Sequence, residues 1–234
     1  MKAELISALR KPSTPVIALA LTVFGLIVNS IAHHYLTDIT DPSDPGFLIG
    51  MAGVFVPIIG ASVWLRRNGL NWADMGLGMP ERPLLLLGQT IIATAVSYVV
   101  MNYLVPPVAQ WVGHHPDVSH LLPVRGNLPG FLFVITIVWV TAALVEEMFF
   151  RGYLIPVFAA HLGNGKLGWI LGALVSSAIF GLAHAYQGLS GMVITALTGL
   201  SLALMYLAFG RRLWPLILAH GIIDTISIYG LYAS

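Results

Sequence analysis

From Leu128 to Arg151 the chain reads LPGFLFVITIVWVTAALVEEMFFR. The stretch from Leu128 to Val145 carries no charge. As a helix it would be ~27 Å long, close to the ~30 Å of bilayer hydrocarbon. Two adjacent carboxylates follow, and then more apolar residues. In a soluble protein a helix apolar on every face would lie in a core under a polar shell, and this chain has no such shell to offer. Of its 234 residues 57% are hydrophobic and 9% charged, against roughly half and a quarter in soluble proteins. Eleven Lys/Arg and ten Asp/Glu cannot clothe a soluble surface of that size. The chain therefore reads as an integral membrane protein. Its net charge of +1 implies no nucleic-acid partner. The absence of cysteine excludes disulfides, iron–sulfur clusters, thiol catalysis and thiolate metal sites.

Six further apolar runs can be read outward from this one. The spans fall near Pro15–Leu36, Phe47–Leu65, Leu84–Val105, Leu128–Phe150, Gly168–Ala183, Gly188–Phe209 and Leu213–Tyr232. The expected fold is all-α: one polytopic transmembrane bundle of about seven helices over residues 1–234, with a motif-bearing core at about 128–232 and an intramembrane polar cavity. The first run is too long for a signal-peptide core and no small-residue cleavage pattern follows it, so it reads as a retained helix. Cations set the orientation. Lys2, Arg10 and Lys11 precede span one; Arg66, Arg67 and Arg82 separate spans two and three. Arg151 and Lys166 separate four and five, and Arg211 and Arg212 separate six and seven. Arg125 alone falls in a connection of the other parity. The expectation is a plasma-membrane protein with a cytoplasmic N-terminus and an outer C-terminus. The loop Thr37–Pro45, with Asp38, Asp41 and Asp44, then lies outside. Arg66–Pro83 reads as an inner interfacial segment, and Pro106–Asn127 as an outer loop whose His114, His115 and His120 are solvated. His33 and His34 read as interfacial.

Glu146, Glu147, Asp224, His184 and His220 are ionisable residues in or at the edge of apolar runs. Each costs a few kcal/mol near the bilayer centre, which makes it a functional candidate by default. Glu147 and Arg151 are four apart with the acid first, the favourable order for a helical pair. Glu146 is rotated by about 100° from its neighbour, has no such partner, and is free to act as a general base. Phe180 and His184 share a helix face, so the ring can pack on the imidazole. His220 and Asp224 are again one turn apart. Such a pair can fix a tautomer, hold a metal, or simply satisfy itself between helices.

Three spaced motifs, Glu146-Glu147…Arg151, Phe180…His184 and His220…Asp224, resemble the E-E-x-x-x-R, F-x-x-x-H and H-x-x-x-N/D pattern of the CPBP family. That family holds the type II CAAX prenyl endopeptidases and the bacterial bacteriocin-processing and self-immunity (Abi) proteins. The resemblance runs over about 90 residues of the second half of the chain; the first half matches in general character only. It implies an intramembrane glutamate-type endopeptidase acting on a peptide or protein substrate, membrane-anchored or free, in contact with membrane lipid. Glu146 and His184 would activate a water, His220 and Asp224 would stabilise the oxyanion, and Glu147, Arg151 and Phe180 would orient them. A prenylated substrate is not implied for a bacterial chain. The prenyl proteases have Asn where this chain has Asp224. An Asn amide donates to an oxyanion whereas an ionised Asp only accepts, so Asp224 either carries a proton or orients His220. Glu146, His184, His220 and Asp224 are also a plausible zinc ligand set. The glutamate–water reading, with no cofactor, is preferred because no His-Glu-x-x-His signature is present.

The boundaries above create a conflict. They leave Glu146 ~27 Å from the outer face and His184 ~24 Å from the inner one. Either the fourth helix continues past Arg151 toward Ala160, or the chain breaks around His184–Gly191. Two other readings stand beside the peptidase. One is a rhomboid-like serine protease using Ser190 of Gly188-Leu189-Ser190-Gly191. The other is a non-catalytic transporter, immunity or scaffold protein, which as a transporter would need a continuous polar path rather than a cavity blind at one end.

Overall fold

The computed structural model describes residues 3–113 and 115–234; Lys2 and His114 lie outside it. Eight main helices follow one another: α1 (Ala3–Leu9), α2 (Ser13–Tyr35), α3 (Pro45–Arg67), α4 (Pro83–Val112), α5 (Leu128–His161), α6 (Lys166–Ala183), α7 (Gly188–Ala208) and α8 (Trp214–Tyr232). Among the described residues seven helical stretches are long and apolar enough to span a membrane, matching the seven runs. Many helix starts follow local rules. Pro45, Pro83, Pro129 and Pro215 occupy first-turn positions, where a missing N–H costs nothing. Asp44 caps α3, its Oδ1 accepting from the Gly46 and Phe47 amides at 2.8 and 3.1 Å. Its Oδ2 takes the Thr37 hydroxyl at 2.6 Å and the Thr37 and Asp38 amides. Led by that hydroxyl, these donors hold the Asp44 carboxyl well below its usual range.

Two spans are longer than the sequence boundaries. α4 runs to Val112, so much of the expected outer loop is helix, and Ser119–Val124 adds a 3₁₀ turn. α5 runs to His161 as one stretch of 34 residues. It continues because Arg151 is 1% exposed, inside the bundle; it is not a loop cation and does not mark the inner face. The α5 backbone is π-helical from Trp139 to Leu154, a widened geometry frequent at functional sites. The residues before α2 are not a simple cationic tail either. Leu5, Ala8 and Leu9 of α1 are buried, and α1 packs on the end of α5.

α5 is the centre of the bundle, packed on α3, α6 and α8, while α2 pairs with α3, α6 with α7 and α8 with α4. One end of the bundle gathers the basic connections. Lys11 Nζ donates to Asn68 Oδ1 at 2.6 Å, the Leu213 amide to the Gly76 carbonyl at 3.0 Å, and Arg211 stacks on Trp169. The segment after α3, read as interfacial, lies at this end and packs on it in part. Met75 is buried and Trp72 Nε1 donates to Ser62 Oγ at 2.9 Å. Gly76, at φ 103°, faces the Arg211 carbonyl so closely that a Cβ would collide with it. At the opposite end the Gly126 amide donates to the Tyr232 carbonyl, and the Asp117 amide to that of Gln187.

Candidate active site

The conflict over depth dissolves once α5 has its full length. Ser176 Oγ donates to the Phe150 carbonyl at 2.8 Å, and Gly172 lies against the Ile155 carbonyl. Extending this antiparallel register sets Glu146 level with Phe180, about one helical turn from His184. Glu146 is the nineteenth of the 34 residues of α5, in mid-span. The chain also breaks after α6. His184 ends that helix, a 3₁₀ turn covers Ala185–Gln187, and α7 restarts at Gly188. Both alternatives offered by the sequence are therefore realised.

Glu147 is 0% exposed, and its Oε1 accepts from two groups: Arg151 Nη1 at 2.9 Å and His220 Nδ1 at 2.8 Å. The Arg151 pair follows from spacing; the His220 bond crosses from α5 to α8 and does not. Arg151 Nη2 donates to the Gly199 carbonyl at 3.1 Å, and the guanidinium lies 4.6 Å over the Phe180 ring. Phe180 is thus held between Arg151 and His184, whose ring is 4.8 Å away. Gly199 is required by this approach, since a Cβ there would meet Phe180 Cδ1 at 2.7 Å.

His184 Nδ1 is 2.8 Å from the Phe180 carbonyl. A carbonyl only accepts, so Nδ1 carries the proton and a neutral ring presents the lone pair of Nε2. His220 faces carboxylates on both sides, with Nε2 3.5 Å from Asp224 Oδ2. Asp224 is 28% exposed in its side chain and His220 12%. Glu146, half-buried, makes no hydrogen bond or ion pair with another described residue. Its neighbour Glu147 is engaged by two donors through Oε1, while its buried Oε2 has no hydrogen-bond partner among the described residues. The two adjacent acids therefore have different surroundings, one tied and one free.

Glu146, His184, His220 and Asp224 all line one cavity of about 510 Å³. α5 to α8 supply one side of it. The opposite wall comes from α2 and α3, including Leu21, Gly25, Met51 and Val54, so the first two spans are part of the site. Asn29 of α2 donates to the Ala183 carbonyl at 3.0 Å, bracing the break beside His184. Trp139 Nε1 donates to Thr225 Oγ1 at 3.1 Å, and its ring fills the space beside Gly221. None of these contacts has a sequence signature beyond a polar or glycine residue in an apolar run. At the far end of the cavity His33, His120 and Tyr186 meet, with Tyr186 4.7 Å from His33 and 5.5 Å from His120. His33 and His120 are thus partly enclosed, whereas His115 is exposed. Burial, aided by His33, pushes the His120 imidazole down to about 4.

The side chains as arranged do not suit zinc. Both nitrogens of His220 face carboxylates, and among the described residues no three His, Cys, Asp or Glu are placed to hold one metal ion. Ser190 does not suit nucleophilic attack. It is 0% exposed, does not line the cavity, and its hydroxyl has no partner among the described residues.

Fold and site together define a polytopic membrane protein with carboxylates and histidines converging on a cavity within the bilayer. Residues 128–226 match the type II CAAX prenyl endopeptidase Rce1-like family, the group to which the three motifs point. No curated protein and no solved structure matches the chain.

Proposed function

We propose that the protein is an intramembrane endopeptidase in which Glu146 and His184 activate a water and His220, held by Glu147 and Asp224, stabilises the oxyanion. The observation that carries this reading is the contrast between the two adjacent acids: Glu147 is consumed by Arg151 and His220, while Glu146 faces the cavity without a partner. A water between Glu146 and His184 Nε2 would give its proton to the carboxylate as its oxygen attacks the scissile carbonyl carbon. The carbonyl oxygen then takes the negative charge, and His220 donates to it. Asp224 Oδ2 stands 3.5 Å from His220 Nε2 as an ion-pair partner, which accounts for an acid where the prenyl proteases have an amide. It orients the donor and need not donate itself. Collapse of the tetrahedral species breaks the C–N bond as the proton held by Glu146 passes to the leaving amine. The products are a carboxylate and an amine, and no metal takes part in any step.

On the Arg151 side the cavity is backed by buried helix, which favours a peptidase over a transporter. From Glu147 to Val157 every residue of α5 is buried. Gly152 is closed over by Leu213, Trp72 and the Met75 carbonyl. The substrate is a polypeptide with apolar side chains beside the cleaved bond, matching the walls of the cavity. We place the protein in the plasma membrane with the N-terminus cytoplasmic and the C-terminus outside.

The test is hydrolysis of a quenched-peptide library by purified wild type and Glu146→Gln, with and without a chelator. Loss of a general base lowers the rate by ~10²–10⁴. Full activity in Glu146→Gln would refute the mechanism, and chelator sensitivity would move the chemistry to a metal.

A further inference from the structure

The cavity has a direction. It runs from Glu146 and His220 to Val118, His33, His120 and Tyr186. That end of the bundle also carries the α2–α3 loop with Asp38, Asp41 and Asp44. The ring contacts among His33, His120 and Tyr186 frame the mouth, and the bond from the Asp117 amide to the Gln187 carbonyl fastens the loop beside it. At the other end roughly 16 Å of continuously buried helix, Glu147–Val157, closes the path. The Trp72–Leu77 segment, sealed by the Gly76–Leu213 bond, lies across it.

The charges have a direction too, and it is set by different residues. With Arg151 internal, ten cations remain, and in sequence nine of them fall before α2 or in the connections and adjoining helix ends at the closed end. Arg125 falls at the open end. Short connections rich in Lys and Arg are retained on the cytoplasmic side. The site therefore opens away from the cytoplasm.

Resting on the peptidase reading, we infer that the site is served from the non-cytoplasmic side: its substrate is a polypeptide segment presented at that face, such as an exported peptide or the outer end of a membrane-anchored one. A prenylated C-terminus held at the cytoplasmic leaflet would meet the closed end. The family match and the direction of access thus separate the type of chemistry from the class of substrate.

The chain has no cysteine, so single cysteines report its sidedness directly. Val118→Cys sits at the mouth and Lys166→Cys at the closed end, and both positions are exposed. In sealed spheroplasts of a bacterial host, a membrane-impermeant maleimide is expected to label Val118→Cys and to reach Lys166→Cys only after permeabilisation. The reverse pattern overturns the inference. In parallel, a quenched-peptide library with apolar central residues is added to sealed spheroplasts and to sealed inverted vesicles. Cleavage is expected in spheroplasts and lost in inverted vesicles until detergent opens them. Cleavage confined to the inverted vesicles, or equal in both, overturns the access side and leaves the peptidase standing. Cleavage on neither side and none in detergent, or equal cleavage by Glu146→Gln, overturns the peptidase reading and this inference with it.

Discussion

Replacing Arg151 with methionine tests the best-defined interaction of the site. The side chain is 1% exposed and its partner Glu147 0%, so solvent screening does not discount the pair. The substitution keeps the apolar stem and removes two charge-assisted hydrogen bonds, to Glu147 and Gly199, together with the stacking on Phe180. Each such bond is worth ~1.5–3 kcal/mol, and a desolvated cation–π contact ~2 kcal/mol. These contributions overlap, and the direct precedent, removal of one partner of a buried ion pair, costs ~3–5 kcal/mol. At ~2–4 °C per kcal/mol for a chain of this size, the midpoint of thermal unfolding should fall by roughly 6–20 °C. Tryptophan fluorescence in detergent micelles reads this directly, the chain having six tryptophans. The second arm adds Glu147→Gln. With both charges gone, no uncompensated carboxylate remains, so the double variant should be more stable than the sum of the singles by ~0.5–3 kcal/mol. A fall of less than ~2 °C in Arg151→Met, or strict additivity in the double variant, would refute the account of the pair.

Gly199→Ala drives a methyl into the Phe180 ring and toward Arg151. It should cost ~1–3 kcal/mol as an overpacked contact and lower hydrolysis by displacing the ring that positions His184, read by unfolding midpoint and rate together. Ser190→Ala should leave hydrolysis and stability unchanged, because the hydroxyl is buried without a partner and lies off the cavity; loss of activity would revive the serine reading. His120 titrates at about 4 in the fold, against 6.5 unperturbed. Between those values the unfolded chain binds more protons, so stability should fall as pH drops from 6.5 to 4 and level off below. His120→Gln should remove that part of the pH profile of the unfolding midpoint.

The seven spans were legible because an apolar run of membrane length has few other uses. Their ends were less so, for a physical reason. Arg151 looks like the cation that ends a helix, and Pro156 like the residue that breaks one, yet Arg151 is neutralised by Glu147 inside the bundle and Pro156 sits in the first turn where α-helical geometry resumes. The pairs within one helix, Glu147–Arg151, Phe180–His184 and His220–Asp224, could be read from spacing of four, since that spacing fixes a shared face. The contacts between helices could not. Glu147 to His220, Arg151 to Gly199 and Asn29 to Ala183 join residues 73, 48 and 154 positions apart. Nothing in a linear pattern specifies such distances. The same gap hid the role of α2 and α3, whose wall residues are ordinary apolar side chains and glycines.

One oxygen of Glu147 serves both Arg151 and His220, and this has a consequence for how such a protein can diverge. Arg151, Glu147, His220 and Asp224 form one linked chain across two helices, and Phe180 and Gly199 join it to two more. Alteration of any member is transmitted to the rest, so these helices can change only together. The wall formed by Leu21, Gly25, Met51 and Val54 belongs to no such chain. New specificities should therefore arise in the N-terminal half, where a side chain can be exchanged and the cavity reshaped while the proton-handling groups stay in register.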